Sequence, residues 1–125
     1  MASILLVEDD EFVRDMLCQM LTRASHEVKG AIDGEDALEK LRTMQPDVMI
    51  TDIIMPRKSG TALISEVKKK HPDMKIIAIS GGGRLDPEGY LDLSESLGAH
   101  VSFKKPVDKE ALLMAIDLLK ISENE

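Results

Sequence analysis

The sequence predicts an α/β protein in which helices cover both faces of a doubly wound, five-stranded parallel sheet. Short apolar runs of strand length alternate five times, along 125 residues, with longer stretches whose apolar residues recur at helical spacing. This alternation is typical of βα units, whose right-handed crossovers give a parallel sheet. The apolar runs also differ in hydrophobicity, and that difference predicts their order in the sheet.

Three runs are almost wholly apolar and predict central strands buried on both faces; they begin at Ile4, Val48 and Ile76. The runs that begin at Val28 and Val101 mix polar with apolar residues and predict edge strands. The strand order 2-1-3-4-5 satisfies this ranking. In that order the first and third strands are neighbours, and sheets of this kind bind ligands beyond the carboxyl ends of the strands at that point.

The segments between the strands predict helices. The first helix is expected to bury one stripe, formed by Phe12, Val13, Met16, Leu17, Met20 and Leu21. We expect Asp33 to cap the second helix. The third helix is expected over residues 59–70, and the lysines at 68–70 predict a solvated face at its end. A less regular helix is expected around residues 90–97, and the apolar spacing at 111–119 predicts the last helix.

The composition argues against several classes of protein. Sixteen basic residues against 23 acidic ones give a formal charge of −7, and with only three aromatic residues we expect no nucleic-acid partner. The single Cys18 cannot form an internal disulfide. No apolar run approaches the roughly 18 residues of a membrane span, and no basic stretch of a signal peptide opens the chain. We therefore expect one cytoplasmic domain over residues 1–125, with its core at about 3–121 and no membrane contact.

Carboxylates follow two neighbouring strands at the points where those strands end. Glu8, Asp9 and Asp10 come directly after the first strand, and Asp52 ends the third. Two like charges about 4 Å apart repel by about 4 kcal/mol at an effective dielectric constant of about 20. Such a crevice needs a positive group, and oxygen-only ligands suit Mg²⁺ best.

The ends of the remaining strands add hydrogen-bond donors and a positive charge. The fourth strand ends at Ser80, followed by Gly81 with an unobstructed backbone N–H. The fifth ends at Lys104-Lys105-Pro106. A crevice with a divalent cation, an ammonium group, a hydroxyl and a carboxylate is equipped for phosphoryl transfer to that carboxylate.

Four motifs together resemble the receiver domain of bacterial response regulators, a flavodoxin-like fold. They are Val7-Glu8-Asp9-Asp10, Asp52-Ile53-Ile54-Met55-Pro56 with Gly60, the pair Ser80-Gly81, and the pair Lys105-Pro106. Each motif is weak alone, but they occur in the right order on the right strands and cover essentially the whole chain.

The resemblance implies a role for each matching residue. Asp52 is implied to be the phosphoacceptor, Ser80 to bond a phosphoryl oxygen, and Lys105 to pair with the phosphoryl group. The implied metal ligands are Asp9, Glu8 through water, Asp52, and the backbone carbonyl of Ile54. The Lys105–Pro106 peptide bond is implied to be cis.

The resemblance also implies the function and partners of the chain. We expect a stand-alone receiver that takes a phosphoryl group from a histidine kinase or a phosphotransfer protein and then changes a protein-binding surface. It would catalyse only its own phosphorylation and dephosphorylation, so it is not an enzyme that turns over a metabolite. Its downstream target is an unidentified protein, and it is expected to be a monomer or a phosphorylation-dependent dimer.

Two features depart from the family pattern. Ser102 stands where an aromatic residue is common, three residues before the lysine, and residues 84–89 look inserted or reshaped. We therefore expect the signal to travel mainly through the loop at 81–89 and the helix after it.

Three other functions remain open at this stage. An aspartate-nucleophile phosphatase usually has a second carboxylate two residues after the nucleophile, where this chain has Ile54. A flavin or nucleotide module on the same fold is disfavoured by the acids in the first loop. A constitutive adaptor would keep the acids without using them.

Overall fold

The computed structural model describes residues 1–53, 55, 59–80, 95 and 97–123. Its centre is a five-stranded sheet in which every neighbouring pair of strands is parallel. The strands are β1 (Ser3–Val7), β2 (Glu27–Ala31), β3 (Val48–Asp52), β4 (Lys75–Ser80) and β5 (Val101–Lys104).

The strand order is β2-β1-β3-β4-β5, which confirms the predicted order. Every residue of β3 is buried, and so is every residue of β1 and β4 except the first. In β2 only the last residue is buried, and β5 has none that is fully buried. The hydrophobicity of each run therefore predicted its place correctly, because central strands lose water on both faces and edge strands do not.

Helices pack on both faces of the sheet. They are α1 (Glu11–Arg23), α2 (Gly34–Leu41), α3 (Gly60–Lys70) and the C-terminal helix (Lys109–Glu123). One core cluster includes Leu5, Val7, Met49 and Ile76 of the sheet with Ala37, Leu41, Leu63, Ile64 and Val67 of α2 and α3. The opposite cluster includes Ile4, Leu6, Ile50 and Ile77 with Leu17, Leu21, Leu112 and Ile116 of α1 and the C-terminal helix. Alternate residues of each strand point to opposite faces, so every central strand supplies both clusters.

Polar side chains cap three helices that begin near the carboxyl ends of the strands. Asp33 accepts a hydrogen bond from the backbone N–H of Asp36 at 2.8 Å, which confirms the predicted cap of α2. Asp10 caps α1 by accepting the backbone N–H of Phe12 at 2.9 Å. Ser59 caps α3 in the same way. Each cap satisfies an amide at a helix start that has no partner within the helix.

The apolar stripe predicted for α1 is wider than the face that α1 buries. Leu17 and Leu21 are buried, but Phe12 and Met16 have 78% and 53% of their surface exposed. Met16 precedes Leu17 by one residue, which places it about 100° further round the helix axis. The prediction that all six apolar residues face the core was therefore wrong for these two.

Lys68 is also placed differently from the prediction of a solvated lysine face. Its Nζ donates to the carbonyl oxygens of Pro72 at 2.9 Å and Met74 at 3.0 Å, whereas Lys69 and Lys70 are exposed. Lys68 is therefore a tether between the end of α3 and the start of β4. The interaction joins residues across a turn, so the charge pattern alone did not reveal it.

The helix expected around residues 90–97 lies outside the described residues except for Glu95 and Leu97, which are helical. The loop at 81–89, expected to carry the signal, lies wholly outside them. No helix in the described ranges combines the length and apolar character that crossing a bilayer requires.

Candidate functional site

The register of the sheet brings the predicted site residues to one edge. Val7 pairs with Thr51, so Glu8 lies level with Asp52, the next residue of β3. Asp52 pairs with Ile79 and Ser80 with Lys104, which places Lys105 one step further along the same edge. These residues are far apart in sequence and meet because all the strands are parallel.

Three carboxylates form a cluster at this edge. Glu8, Asp9 and Asp52 each offer an oxygen that lies within 4.8 Å of the other two. Glu8 and Asp52 are buried, with 2% and 7% of their surface exposed, and Asp9 is exposed. An all-oxygen donor set of this kind fits a hard divalent cation. Ile54, whose carbonyl is the fourth implied ligand, lies outside the described residues.

Lys105 supplies positive charge to this cluster. Its Nζ lies 2.9 Å from Glu8 Oε1 and 3.1 Å from Asp52 Oδ2. Burial by itself would lower the pKa of Lys105, but the hydrogen bond to Glu8 and the charge of Asp52 outweigh it and raise the pKa. The ammonium group is therefore firmly charged and held between the two buried carboxylates. The peptide bond from Lys105 to Pro106 is cis, as the resemblance implies.

The surroundings of Asp9 disfavour its charged form, whereas those of Lys105 favour the charged form. Desolvation and a side-chain hydrogen bond with Glu8 raise the pKa of Asp9 above its ordinary value, and the negative charge of Glu8 adds to this. The cluster therefore resists carrying all its negative charges at once, although Lys105 contacts two of its members. A cation bound among the carboxylates would relieve this repulsion.

Ser80 contributes a buried hydroxyl at the end of β4. It has 1% of its surface exposed, and its Oγ has no hydrogen-bond partner among the residues that the structure describes. A buried polar group without a partner costs about 1–3 kcal/mol. A hydroxyl at the carboxyl ends of the strands, where sheets of this kind bind ligands, is suited to donate to an oxygen of a group bound there.

The backbone of Asp52 is fixed by the start of α3. The N–H of Gly60 donates to the carbonyl oxygen of Ile53 at 2.7 Å. A Cβ at Gly60 would lie only 2.2 Å from the carbonyl oxygen of Asp52. Glycine is therefore required at this position because the two backbones approach too closely for any side chain.

Glu8 is held by more groups than the sequence indicated. Its N–H donates to the carbonyl oxygen of Ala31 at 3.0 Å, and its Oε2 accepts the N–H of Asp10 at 3.1 Å. The guanidinium of Arg14 donates to the carbonyl oxygen of Glu8 at 2.8 Å. Arg14 was not predicted from the sequence, because nothing in its spacing separates it from an ordinary exposed residue of an amphipathic helix.

Ser102, the residue that departs from the family pattern, has a hydrogen-bond partner outside the cluster of Glu8, Asp9 and Asp52. Its hydroxyl donates to Glu95 Oε2 at 2.5 Å. This contact links β5 to Glu95, which is helical. The side chain therefore takes part in a hydrogen bond at the position where the family commonly carries a ring.

Comparison with known proteins agrees with this geometry. Residues 4–117 match the family described as response regulator receiver domain. The chemotaxis protein CheY of Thermotoga maritima is 40% identical over 82 residues, which are 65% of this chain and 68% of that protein. The DNA-binding transcriptional regulator NtrC of Azospirillum brasilense is 33% identical over 116 residues, which are 93% of this chain but only 24% of that protein.

A solved structure supports the same conclusion. The response regulator receiver domain protein from Clostridium thermocellum superimposes with a TM-score of 0.90 at 28% identity, over 99% of this chain and 98% of that one. The strand order, the acidic cluster and the match across residues 4–117 agree with one another. The chain belongs to the response regulator receiver domain family of two-component signalling proteins.

Proposed function

We propose that this receiver accepts a phosphoryl group on Asp52 from a histidine kinase or a phosphotransfer protein, in a reaction that requires Mg²⁺. The observation that carries the proposal is the carboxylate cluster of Glu8, Asp9 and Asp52, with Lys105 in contact with two of its members. A carboxylate nucleophile, an acidic pair and an ammonium group at one sheet edge are the parts that phosphoryl transfer needs.

In the proposed step, an oxygen of the Asp52 carboxylate attacks the phosphorus atom of a phosphohistidine. The new P–O bond gives an acyl phosphate, the P–N bond breaks, and the donor imidazole leaves with the electron pair of that bond. Phosphoryl transfer involves little covalent chemistry besides this displacement, so positioning and charge supply most of the rate.

The residues of the cluster fit Mg²⁺. Glu8, Asp9 and Asp52 would hold it, and the resemblance adds the carbonyl of Ile54 as a further ligand. When bound, Mg²⁺ would supply positive charge to the phosphoryl oxygens as negative charge develops on them. These side chains, and the sheet edge that carries them, would hold the cation beside Asp52.

Ser80 and Lys105 are proposed to bind the phosphoryl group after transfer. Lys105 already contacts Asp52, so its ammonium group is within reach of an oxygen added there. The hydroxyl of Ser80, which has no partner among the described residues, would donate to another phosphoryl oxygen. Both side chains would then contact the same phosphoryl group, so phosphorylation would link the end of β4 to the residue that follows β5.

We also propose that the chain turns over no metabolite and only reverses its own modification. Water would attack the phosphorus atom, inorganic phosphate would leave, and the Asp52 carboxylate would be restored.

The net charge of −7 supports a protein rather than a nucleic acid as the direct partner of this domain. Relatives such as NtrC are several times longer, so the activity of any whole protein that carries this domain is a separate matter.

Labelling with a small phosphodonor tests the proposal. Wild-type protein incubated with acetyl phosphate and Mg²⁺ should gain one hydroxylamine-labile phosphoryl group, measured by intact mass. Asp52→Asn should gain none, and Asp73→Asn, which removes an exposed carboxylate in a turn, should react like the wild type. Chelation of Mg²⁺ should stop the labelling.

Three results would contradict the proposal. Equal labelling of Asp52→Asn would show that another residue is the acceptor. An unlabelled wild type would favour the constitutive adaptor. Repeated turnover of a phosphate ester by the wild type would favour the phosphatase.

A further inference from the structure

Arg14 contacts the backbone of Glu8 but has no role in the proposed phosphoryl transfer. Arg14 lies in the first half of α1, and its Nη1 reaches back to donate to the backbone carbonyl of Glu8 at 2.8 Å. The side chain is partly buried. A hydrogen bond from a charged donor is roughly twice as strong as one between neutral groups.

The stem of the Arg14 side chain lies close to a glycine in the neighbouring strand. A Cβ at Gly30 of β2 would lie 3.3 Å from Arg14 Cδ, which is tighter than ordinary van der Waals contact. Gly30 therefore leaves space for the stem of Arg14 to lie across the edge strand. This contact gives a physical reason for the glycine that interrupts the second strand.

The carbonyl that Arg14 holds belongs to the peptide between Glu8 and Asp9. The N–H of Glu8 is already fixed by Ala31 at 3.0 Å. With its carbonyl also fixed, the chain leaves β1 in one direction, and that direction decides where the Asp9 carboxylate points. Glu8 is buried and bonded to Lys105, whereas Asp9 is exposed, so Asp9 depends more on its backbone for orientation.

We propose that Arg14 is a positioning residue for the acidic cluster: its guanidinium fixes the Glu8–Asp9 peptide so that both carboxylates are aimed at the cation beside Asp52. The inference rests on the proposed function, because it assumes that these carboxylates bind Mg²⁺. Groups that orient metal ligands in this way typically change metal affinity by about 10- to 100-fold when they are removed.

The test compares three variants with the wild type. Arg14→Met removes the donor and the charge but keeps an apolar stem over Gly30. Arg14→Lys keeps a charged donor on a shorter, single-pronged side chain. Arg23→Met is the matched control, since it removes the same charge from an exposed position on the same helix.

Two quantities are measured: the Kd of MgCl₂ by calorimetry, and amide hydrogen exchange at Asp9 in the metal-free protein. Arg14→Met should weaken Mg²⁺ binding by about tenfold or more and speed exchange at Asp9. Arg14→Lys should lie closer to the wild type than to Arg14→Met, and Arg23→Met should match the wild type.

The outcomes separate this inference from the proposed function. A folded Arg14→Met protein with unchanged Kd and unchanged exchange would overturn the positioning role. So would an equal loss in Arg23→Met, which would indicate a general charge effect, or an equal loss in Arg14→Lys. A wild type that binds no Mg²⁺ would instead overturn the proposed function, and the exchange rates at Asp9 would still decide whether Arg14 fixes this peptide.

Discussion

Single residues at the site are constrained by backbone contacts as well as by their own chemistry. At Gly60 the atoms nearest to an added Cβ would be the carbonyl oxygen of Asp52 at 2.2 Å and the Cα of Ile53 at 2.5 Å. Neither can rotate away, because both belong to the backbone. We expect Gly60→Ala to lower the free energy of unfolding by about 1–3 kcal/mol through overpacking.

The same substitution should slow labelling of Asp52, since the strain falls on the backbone of the proposed acceptor. Urea unfolding and the acetyl phosphate rate measure the two effects. Unchanged stability together with an unchanged rate would show that the close approach at Gly60 has no energetic importance.

The site residues at strand ends could be predicted from the sequence, whereas Arg14 on α1 could not. Glu8, Asp9, Asp52, Ser80 and Lys105 all follow or end a strand, and parallel strands bring those positions to one edge. Their convergence was therefore predictable from the strand pattern. The contact of Arg14 was not predictable, because it depends on how α1 packs beside β2 and brings the Arg14 stem close to Gly30.

Among the secondary-structure elements, β4 has a hydrogen bond near its start to the imidazole of His100. His100 Nδ1 accepts the backbone N–H of Ile76 at 3.2 Å, and only the neutral ring can accept there. Desolvation lowers the pKa of His100, and the charges of Lys68 and Lys75 lower it further. The folded state therefore binds this proton less readily than the unfolded state, so the contribution is present at neutral pH and is lost as the pH falls.

A substitution that keeps the acceptor but cannot titrate isolates this effect. We expect the Tm of His100→Asn, minus that of the wild type, to rise as the pH is lowered from about 8 to about 5, across the ordinary pKa of histidine. Thermal melts of both proteins over this range measure it. A difference that stays constant with pH would contradict the role assigned to the neutral ring.

The sequence predicted the positions of the helices correctly, but it predicted less well which of their side chains are buried. The apolar spacing located α1 correctly, but Phe12 and Met16 lie outside the face that contacts the sheet. Periodicity identifies an apolar stripe, whereas the width that is buried depends on how the neighbouring elements approach. Lys68 shows the same limit, because its carbonyl partners at Pro72 and Met74 are set by the turn after the helix.

At the scale of the whole molecule, stability is linked to the charge of the acidic cluster. A cation that binds only the native state adds about 2.7 kcal/mol when its concentration is 100 times Kd. We therefore expect MgCl₂ to raise the Tm of the wild type. Asp9→Asn removes one of the repelling charges, so it should stabilise the metal-free protein and weaken Mg²⁺ binding.

Asp10→Asn provides the matched control for that comparison. It removes the same charge one residue further along, and asparagine caps a helix about as well as aspartate. Its Mg²⁺ affinity should stay near that of the wild type. Calorimetry and thermal melts with and without Mg²⁺ measure both effects, and an Asp9→Asn protein with lower metal-free stability and unchanged affinity would refute this account.

The overall architecture was the part of the molecule that the sequence predicted most completely. Runs of apolar residues at Ile4, Val48 and Ile76 differ sharply from the mixed runs at Val28 and Val101, and burial on two faces or one accounts for the difference. Strand order follows from that ranking with right-handed crossovers. Local contacts such as the Ser102–Glu95 hydrogen bond do not follow, because they depend on the detailed path of a connecting segment.

Chemical trapping identifies the residue that carries the phosphoryl group, which we propose is Asp52. Wild-type protein is phosphorylated with acetyl phosphate and Mg²⁺ and then treated with borohydride, which reduces an aspartyl phosphate to homoserine and releases phosphate. Tandem mass spectrometry of the digested protein locates the homoserine. We expect homoserine at position 52, in amounts that fall to background when Mg²⁺ is chelated. Homoserine at position 9 or at any other aspartate position, with Asp52 unmodified, would show that Asp52 is not the acceptor.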